Sequence, residues 1–336
     1  MHLGKSYTLP EFVYWSRRQL YALLACGSLP IVLYRFLGLE WPSIPLSIVV
    51  LLGTATSFIV GFKNVQTYNR AADAQQIWTD ILNGSRFLGV MSRDFPADPA
   101  VGRAIVFRHC AWLTALRYQL RSPKIWESSG NASNAEYRHK HYRVPEWETS
   151  LEQALERYLP QAEIESLLAA ENKTTRLLAS QSATIKRFLE IDKIDEIFYM
   201  EFERSIKGFF EQQGRAERIK DYSYPRQYAV INKLFVRSFC LLLPFGIFTE
   251  FEKLDGSVSG FMHNNMYWLV VPFSAMISWM YLVLEQVGES TENPFEGSAN
   301  DVPITRICQR IERELLDMIG ETSNVYEPVD ENCIVL

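Results

Sequence analysis

An uncharged run over residues 41–62 constrains this 336-residue chain more than any other feature. Twenty-two residues of helix, at about 1.5 Å each, are enough to cross the hydrocarbon core of a bilayer. Lys63 closes the run, and Arg70 follows two turns later. The run carries two stripes of period four. Thr54, Phe58 and Phe62 form a mostly bulky stripe, and Gly53, Ser57 and Gly61 a small one. A lone membrane anchor needs neither. A helix that packs closely on its neighbours through small residues, while turning aromatics toward a shared axis, uses both.

Three further apolar segments accompany it. Residues 19–37 are interrupted by Pro30 and Arg35, residues 236–248 are short and contain Pro244, and residues 264–284 are long and uncharged. The first and third of the four also read as buried or broken helices. Basic residues orient the set. Lys5, Arg17 and Arg18 precede the first segment, Lys63 and Arg70 follow the second, and Arg226, Lys233 and Arg237 precede the third. The connectors 38–41 and 249–263 hold Lys253 as their only Lys or Arg. Both termini and the long middle are therefore expected on the cytoplasmic side. The organisation that follows is an N-terminal membrane pair (1–63), a helical cytoplasmic region (64–229), a second membrane pair (230–286) and a cytoplasmic tail (287–336).

Composition excludes several classes. A net charge of −5 argues against a nucleic-acid partner. Five cysteines, Cys26, Cys110, Cys240, Cys308 and Cys333, form no C-x-x-C pair and read as free thiols. No secretory signal pattern opens the chain. G-x-G-x-x-G, P-loop, H-E-x-x-H and G-x-S-x-G motifs are absent, so neither an enzyme nor a cofactor is expected. Glu201 and Glu203, at i and i+2, cannot share a helix face. Ionisable residues within the spans are scarce and no internal repeat is visible, which disfavours a secondary transporter.

The middle of the chain has a helical pattern. Ile77, Ile81 and Leu82 begin it, Leu151, Leu155, Leu159, Leu167 and Leu168 continue it, and Ile194, Ile197, Phe198, Phe202 and Ile206 carry it most strongly. Residues 128–135 read as a flexible Ser/Asn/Gly linker. The basic cluster at 137–143, with His139 and His141, reads as a solvated surface loop, with anion, headgroup or metal binding as the functional alternative. Residues 293–303 are turn-rich. Ile304, Ile307, Ile311, Leu315 and Met318 then mark one helix face, expected to pack on the cytoplasmic helices rather than in a coiled coil.

These residues resemble a known family. Thr54-Ala-Thr-Ser-Phe58-Ile-Val-Gly61-Phe62-Lys-Asn, followed by Tyr68-Asn-Arg70 and Gln75-Gln-Ile-Trp78, is similar to the second helix of bestrophins. Glu292-Asn-Pro-Phe295, Asn300-Asp-Val-Pro303, Ile307-Cys and Ile311-Glu resemble the bacterial branch. The order of elements agrees over nearly the whole chain. The resemblance implies an all-α membrane protein with four transmembrane segments, assembled as a homopentamer around a central pore in the bacterial inner membrane. Its partners would be the lipid bilayer, other copies of itself and permeant inorganic ions.

By the same resemblance the pore neck falls on Thr54, Phe58 and Phe62, with Gly53, Ser57 and Gly61 packing the helix. A second, cytoplasmic aperture falls on Ile197, counting back from Gly214 and Pro225. Passive chloride conduction is favoured, because aromatic ring edges carry partial positive charge. A cation channel of the same architecture and a non-conducting scaffold are the alternatives. Lys63, about 100° round the helix from Phe62, is expected to reach lipid headgroups rather than the axis.

Two departures from the family stand out. Thr54 is smaller and more polar than the aliphatic residue usual at the first neck position. Animal members bind calcium with an acidic run after Asn-Pro-Phe. Here that run holds only Glu296 and Asp301, and the spacing from Gln286 to Asn293 is longer. A calcium ion takes about six to eight oxygens, so calcium gating is not expected. Asn293 and Asp301 are the weak calcium candidates, with capping of the next helix as their other reading.

Overall fold

The computed structural model describes residues 9–39, 44–255, 262–322 and 334–336. Trp41, Lys5 and Cys333 lie outside the described residues, as do parts of both short connectors. Among the described residues every regular element is a helix: α1 (Leu9–Ile31), α2 (Leu46–Asp94), α3 (Pro99–Arg121), α4 (Ala132–His141), α5 (Pro145–Glu148), α6 (Leu151–Leu155), α7 (Gln161–Leu168), α8 (Lys173–Glu190), α9 (Glu196–Asp221), α10 (Arg226–Asp255), α11 (Val270–Ser290) and α12 (Ile304–Met318). A π-helical turn, Val32–Phe36, ends α1, and a 3₁₀ turn, Met266–Leu269, starts α11. Among the described residues, four helical stretches are long and apolar enough to span a membrane: Val13–Phe36, Leu46–Asp94, Arg226–Asp255 and Met266–Ser290. The all-α fold with four spanning segments is the one expected from the sequence.

The chain divides into two compact units. One comprises residues 5–69 and 224–292. Here α1 packs on α11, and α10 on α2, through close approaches. A Cβ on Gly27 would lie 2.8 Å from Ser274 Oγ, and one on Gly246 would lie 2.8 Å from Val49. The third apolar segment is not broken: α10 runs straight through Pro244. Proline cannot donate to the carbonyl of residue 240, and the Cys26 thiol donates to that carbonyl instead, at 3.8 Å. The Cys240 thiol in turn donates to Ser278 O at 3.7 Å. A polar backbone group freed in an apolar setting thus finds a partner.

The second unit comprises the described residues of 70–223 and 293–336. Its core gathers Trp78, Trp112, Phe202 and Phe295, all completely buried. Asp98 caps α3 by accepting from Ala100 N at 3.0 Å, with Pro99 in the first turn. Buried Ile304, Ile311 and Leu315 of α12 join this core, as the stripe on that helix implies. Arg70 donates to the carbonyls of Ile219 and Tyr222, closing the end of α9.

The helical pattern beginning at Ile77 belongs to α2, which continues unbroken to Asp94. One expectation is corrected here. Residues 128–135 are not a flexible linker. Ser128 is buried, Ser128–Gly130 form a 3₁₀ turn and α4 follows, carrying the basic cluster on a helix.

Candidate pore-lining helix

The membrane-length part of α2 is strictly two-faced. Val49, Gly53, Thr56, Val60, Lys63 and Thr67 are buried, a spacing of alternating four and three residues that keeps one helix face inward. The opposite face carries Leu51, Thr54, Phe58 and Phe62, all exposed on this chain. Phe58 is 76% exposed and Phe62 59%. Large apolar side chains left uncovered on a single membrane-length helix meet lipid, a neighbouring copy or a lumen.

The buried face is fixed by specific contacts. A Cβ on Gly53 would lie 2.7 Å from Cε2 of Phe239, so only glycine admits this approach of α10. The Tyr281 hydroxyl on α11 donates to Gly53 O at 3.2 Å and shares a 2.6 Å hydrogen bond with Ser57 Oγ. Asn64 Nδ2 donates to Leu284 O at 3.1 Å, and the hydroxyls of Thr67 and Thr291 meet at 3.1 Å. Gly61 is different: a Cβ there would meet nothing within 4 Å on this chain. Thr54 donates its hydroxyl to Val50 O at 2.9 Å, one turn back. That bond occupies its donor within the helix and reduces the polarity it offers outward.

Lys63 does not reach headgroups. Its side chain is 3% exposed, and its Nζ lies 2.9 Å from Glu292 Oε2, itself 9% exposed. Glu292 and Tyr281 were not singled out by sequence reasoning as site residues. Tyr281, a polar hydroxyl inside an uncharged span, was the available signal. For Glu292 it was the Glu-Asn-Pro-Phe motif, whose acid has to find a cation if it is buried.

In the other unit, Ile197 is the second residue of α9 and is 75% exposed. The segment from Asn293 to Pro303 forms a tight turn held by Asp301. Its carboxylate accepts from Phe295 N at 2.7 Å, Gly297 N at 2.8 Å and Val302 N at 2.6 Å, and from Arg121 Nη1 at 2.6 Å. These bonds hold Phe295 at φ 76°, a left-handed conformation unusual for a phenylalanine. Arg121 is completely buried and also approaches Glu146 at 3.8 Å.

Glu296, also completely buried, accepts from Ser128 N at 2.9 Å and Ser128 Oγ at 2.7 Å. Burial pushes its carboxyl up to about 8, against the pull of the two Ser128 bonds and helped by the neighbouring carboxylates of Asp301 and Glu127. Neither Asn293 nor Asp301 caps α12, whose N-cap is Pro303 with no side-chain bond. A calcium ion does not fit here. The Asp301 oxygens are already committed to three backbone donors and a guanidinium.

Comparison with known proteins adds to this geometry. The voltage-dependent anion channel-forming protein YneE of Salmonella typhi is 25% identical over 294 residues, covering 86% of this chain and 80% of that protein. Its counterpart in Escherichia coli strain K12 is 24% identical over 289 residues, with the same coverage. The crystal structure of a bacterial bestrophin homolog from Klebsiella pneumoniae superposes with a TM-score of 0.72 at 26% identity, over 90% of this chain and 98% of that one. The family model described as Bacterial/Fungal Bestrophin protein matches residues 17–317, and the four spanning helices make the chain a multi-pass membrane protein. The chain belongs to the bacterial and fungal bestrophin family.

Proposed function

We propose that this chain is a bestrophin-like ion channel that assembles as a homopentamer and passes anions down their gradient. The observation that carries the reading is the two-faced α2. One face is fixed to its own chain by Gly53, Ser57 and Lys63, while Phe58 and Phe62 stand uncovered on the other. Five copies around an axis would bring these rings together as an apolar neck, with Thr54 at its outer end. Gly61, open on its own chain, would admit close approach of a neighbouring copy. Ile197 would form the second, cytoplasmic aperture.

A hydrated ion crosses an apolar neck only when the neck wets, so the phenylalanines gate as well as select. Lys63 is withdrawn into an ion pair. Anion preference therefore rests on the partially positive edges of the rings. The unit containing residues 5–69 and 224–292 spans the bacterial inner membrane, and both termini lie in the cytoplasm, by the distribution of Lys and Arg. The names of the related proteins are those of channels, in keeping with a protein that performs no catalysis.

Reconstitution in a planar bilayer under a KCl gradient tests the proposal. Current reversing toward the chloride equilibrium potential is the expected result. Reversal toward the potassium potential keeps the channel and removes the anion preference. Absence of current in both wild type and a Phe58→Ala/Phe62→Ala variant overturns conduction.

A further inference from the structure

A cavity of about 460 Å³ opens between α1, α10 and α11 in the unit of residues 5–69 and 224–292, a size usual for small-ligand sites. Each helix contributes a polar residue at one level and a leucine one turn along. Gln19 is followed by Leu23, Arg237 by Leu241, and Leu282 precedes Glu285. All three polar residues stand where the apolar runs begin or end, on the side marked by basic residues. A pocket that is polar at headgroup depth and apolar one turn deeper has the profile of an amphiphile lying in the cytoplasmic leaflet.

The polar rim is incompletely satisfied in a specific way. Gln19 Oε1, Glu285 Oε1 and Gln286 Oε1 are buried acceptors without a hydrogen-bond partner, and Glu285 as a whole is only 6% exposed. Three buried acceptors around one cavity ask for a donor-rich group. Among the four charged rim residues, Lys233 and Glu289 pair with each other at 3.1 Å. That leaves Arg237 and Glu285, one cation and one anion, without an ion pair among the described residues.

We propose that this cavity binds the headgroup of an aminophospholipid, with its primary ammonium against Glu285, Gln286 and Gln19 and its phosphate against Arg237 and Lys233. An ammonium offers three N–H donors for the three orphaned oxygens, and a rim with two charges of each sign suits a zwitterion better than an anionic lipid. A choline headgroup has the same charges but no N–H, and it leaves the three oxygens unpaired. The proposal rests on the membrane spans and not on ion conduction, and its test reads no current.

The test is native mass spectrometry of the purified full-length protein in detergent, titrated with phosphatidylethanolamine, phosphatidylcholine and phosphatidylglycerol of the same short acyl chains. Phosphatidylethanolamine is expected to bind about tenfold tighter than phosphatidylcholine, the worth of one charge-assisted hydrogen bond. Glu285→Gln is expected to erase that preference. Arg237→Gln, at a residue exposed on the chain, is expected to weaken phosphatidylethanolamine and phosphatidylglycerol alike, and it serves if Glu285→Gln fails to fold. Equal binding of the ethanolamine and choline lipids to wild type, an unchanged preference in Glu285→Gln, or an undiminished affinity for both phosphatidylethanolamine and phosphatidylglycerol in Arg237→Gln, overturns the site. Displacement of the lipid by soluble phosphoethanolamine at equal concentration overturns the lipid assignment in favour of a soluble ligand of the same chemistry.

Discussion

Lys63 Nζ lies 2.9 Å from Glu292 Oε2, with both side chains almost wholly buried, and this pair ties α2 just beyond Phe62 to the segment that follows α11. Removing one partner of a buried ion pair leaves an uncompensated charge, whereas removing both does not. Lys63→Met is therefore expected to lower stability by about 3 kcal/mol. Lys63→Met/Glu292→Met is expected to recover most of that loss. Unfolding of the detergent-solubilised variants measures both, and a double variant no better than the single would show that the pair is not coupled.

The small-residue stripe divides into two roles. Gly53 faces Phe239 within the chain, and Gly61 faces nothing on it. Gly53→Val is expected to destabilise the fold itself by about 1 to 3 kcal/mol through overpacking. Gly61→Val is expected to leave the thermal transition of the chain in place and to shift the assembly toward smaller species in light scattering. Equal effects of the two on unfolding would remove the distinction.

The four spans, the two stripes of α2 and the apolar face of α12 were legible in the sequence, because each depends on local periodicity and hydropathy. What was not legible depends on partners far along the chain. Lys63 looked like a headgroup ligand until Glu292 is placed beside it. Ser128 sits in a stretch with every local mark of a linker, yet it is buried by its bonds to Glu296. Asp301 looked like a cap for α12, but its carboxylate turns back on Phe295 and Gly297. The length of α2 agrees with the resemblance, which already ran through Trp78, because its polar residues beyond Phe62 interrupt the hydropathy without containing any helix breaker.

Glu296 gives stability an alkaline limit. Its folded pKa, raised by burial to about 8, stands above the ordinary value of 4.5. Between about pH 5 and pH 8 the folded chain holds a proton that the unfolded chain has released, so stability falls as pH rises through that window. Glu296→Gln can keep both Ser128 contacts through its amide. It is expected to flatten the slope and to be more stable than wild type at pH 8. Parallel pH profiles for the two proteins would contradict this.

His109 sets the opposite limit. It is completely buried against Trp112 and Phe209, hydrogen-bonded to Ser85 Oγ at 2.8 Å, and burial pushes its pKa from 6.5 down to about 3. Between those values the unfolded chain binds a proton that the folded chain does not, so stability is lost as pH falls from 6.5 toward 3. His109→Phe is expected to lose about 1 to 2 kcal/mol at pH 7 with the Ser85 bond, and to lose less than wild type on acidification to pH 4. A variant with an unchanged acid profile would place the sensitivity elsewhere.

Whether Phe58 faces a conducting lumen is the central question, and a charged thiol reagent applied to Phe58→Cys channels in a planar bilayer addresses it most directly. Cys26, Cys110, Cys240 and Cys308 lie off the exposed face of α2, and with Cys333 replaced by serine the background current is expected to be unaffected by the reagent. Current through Phe58→Cys is expected to fall to near background as the charged group enters the neck. Undiminished current, in protein shown by mass to be fully labelled at that cysteine, would contradict the account.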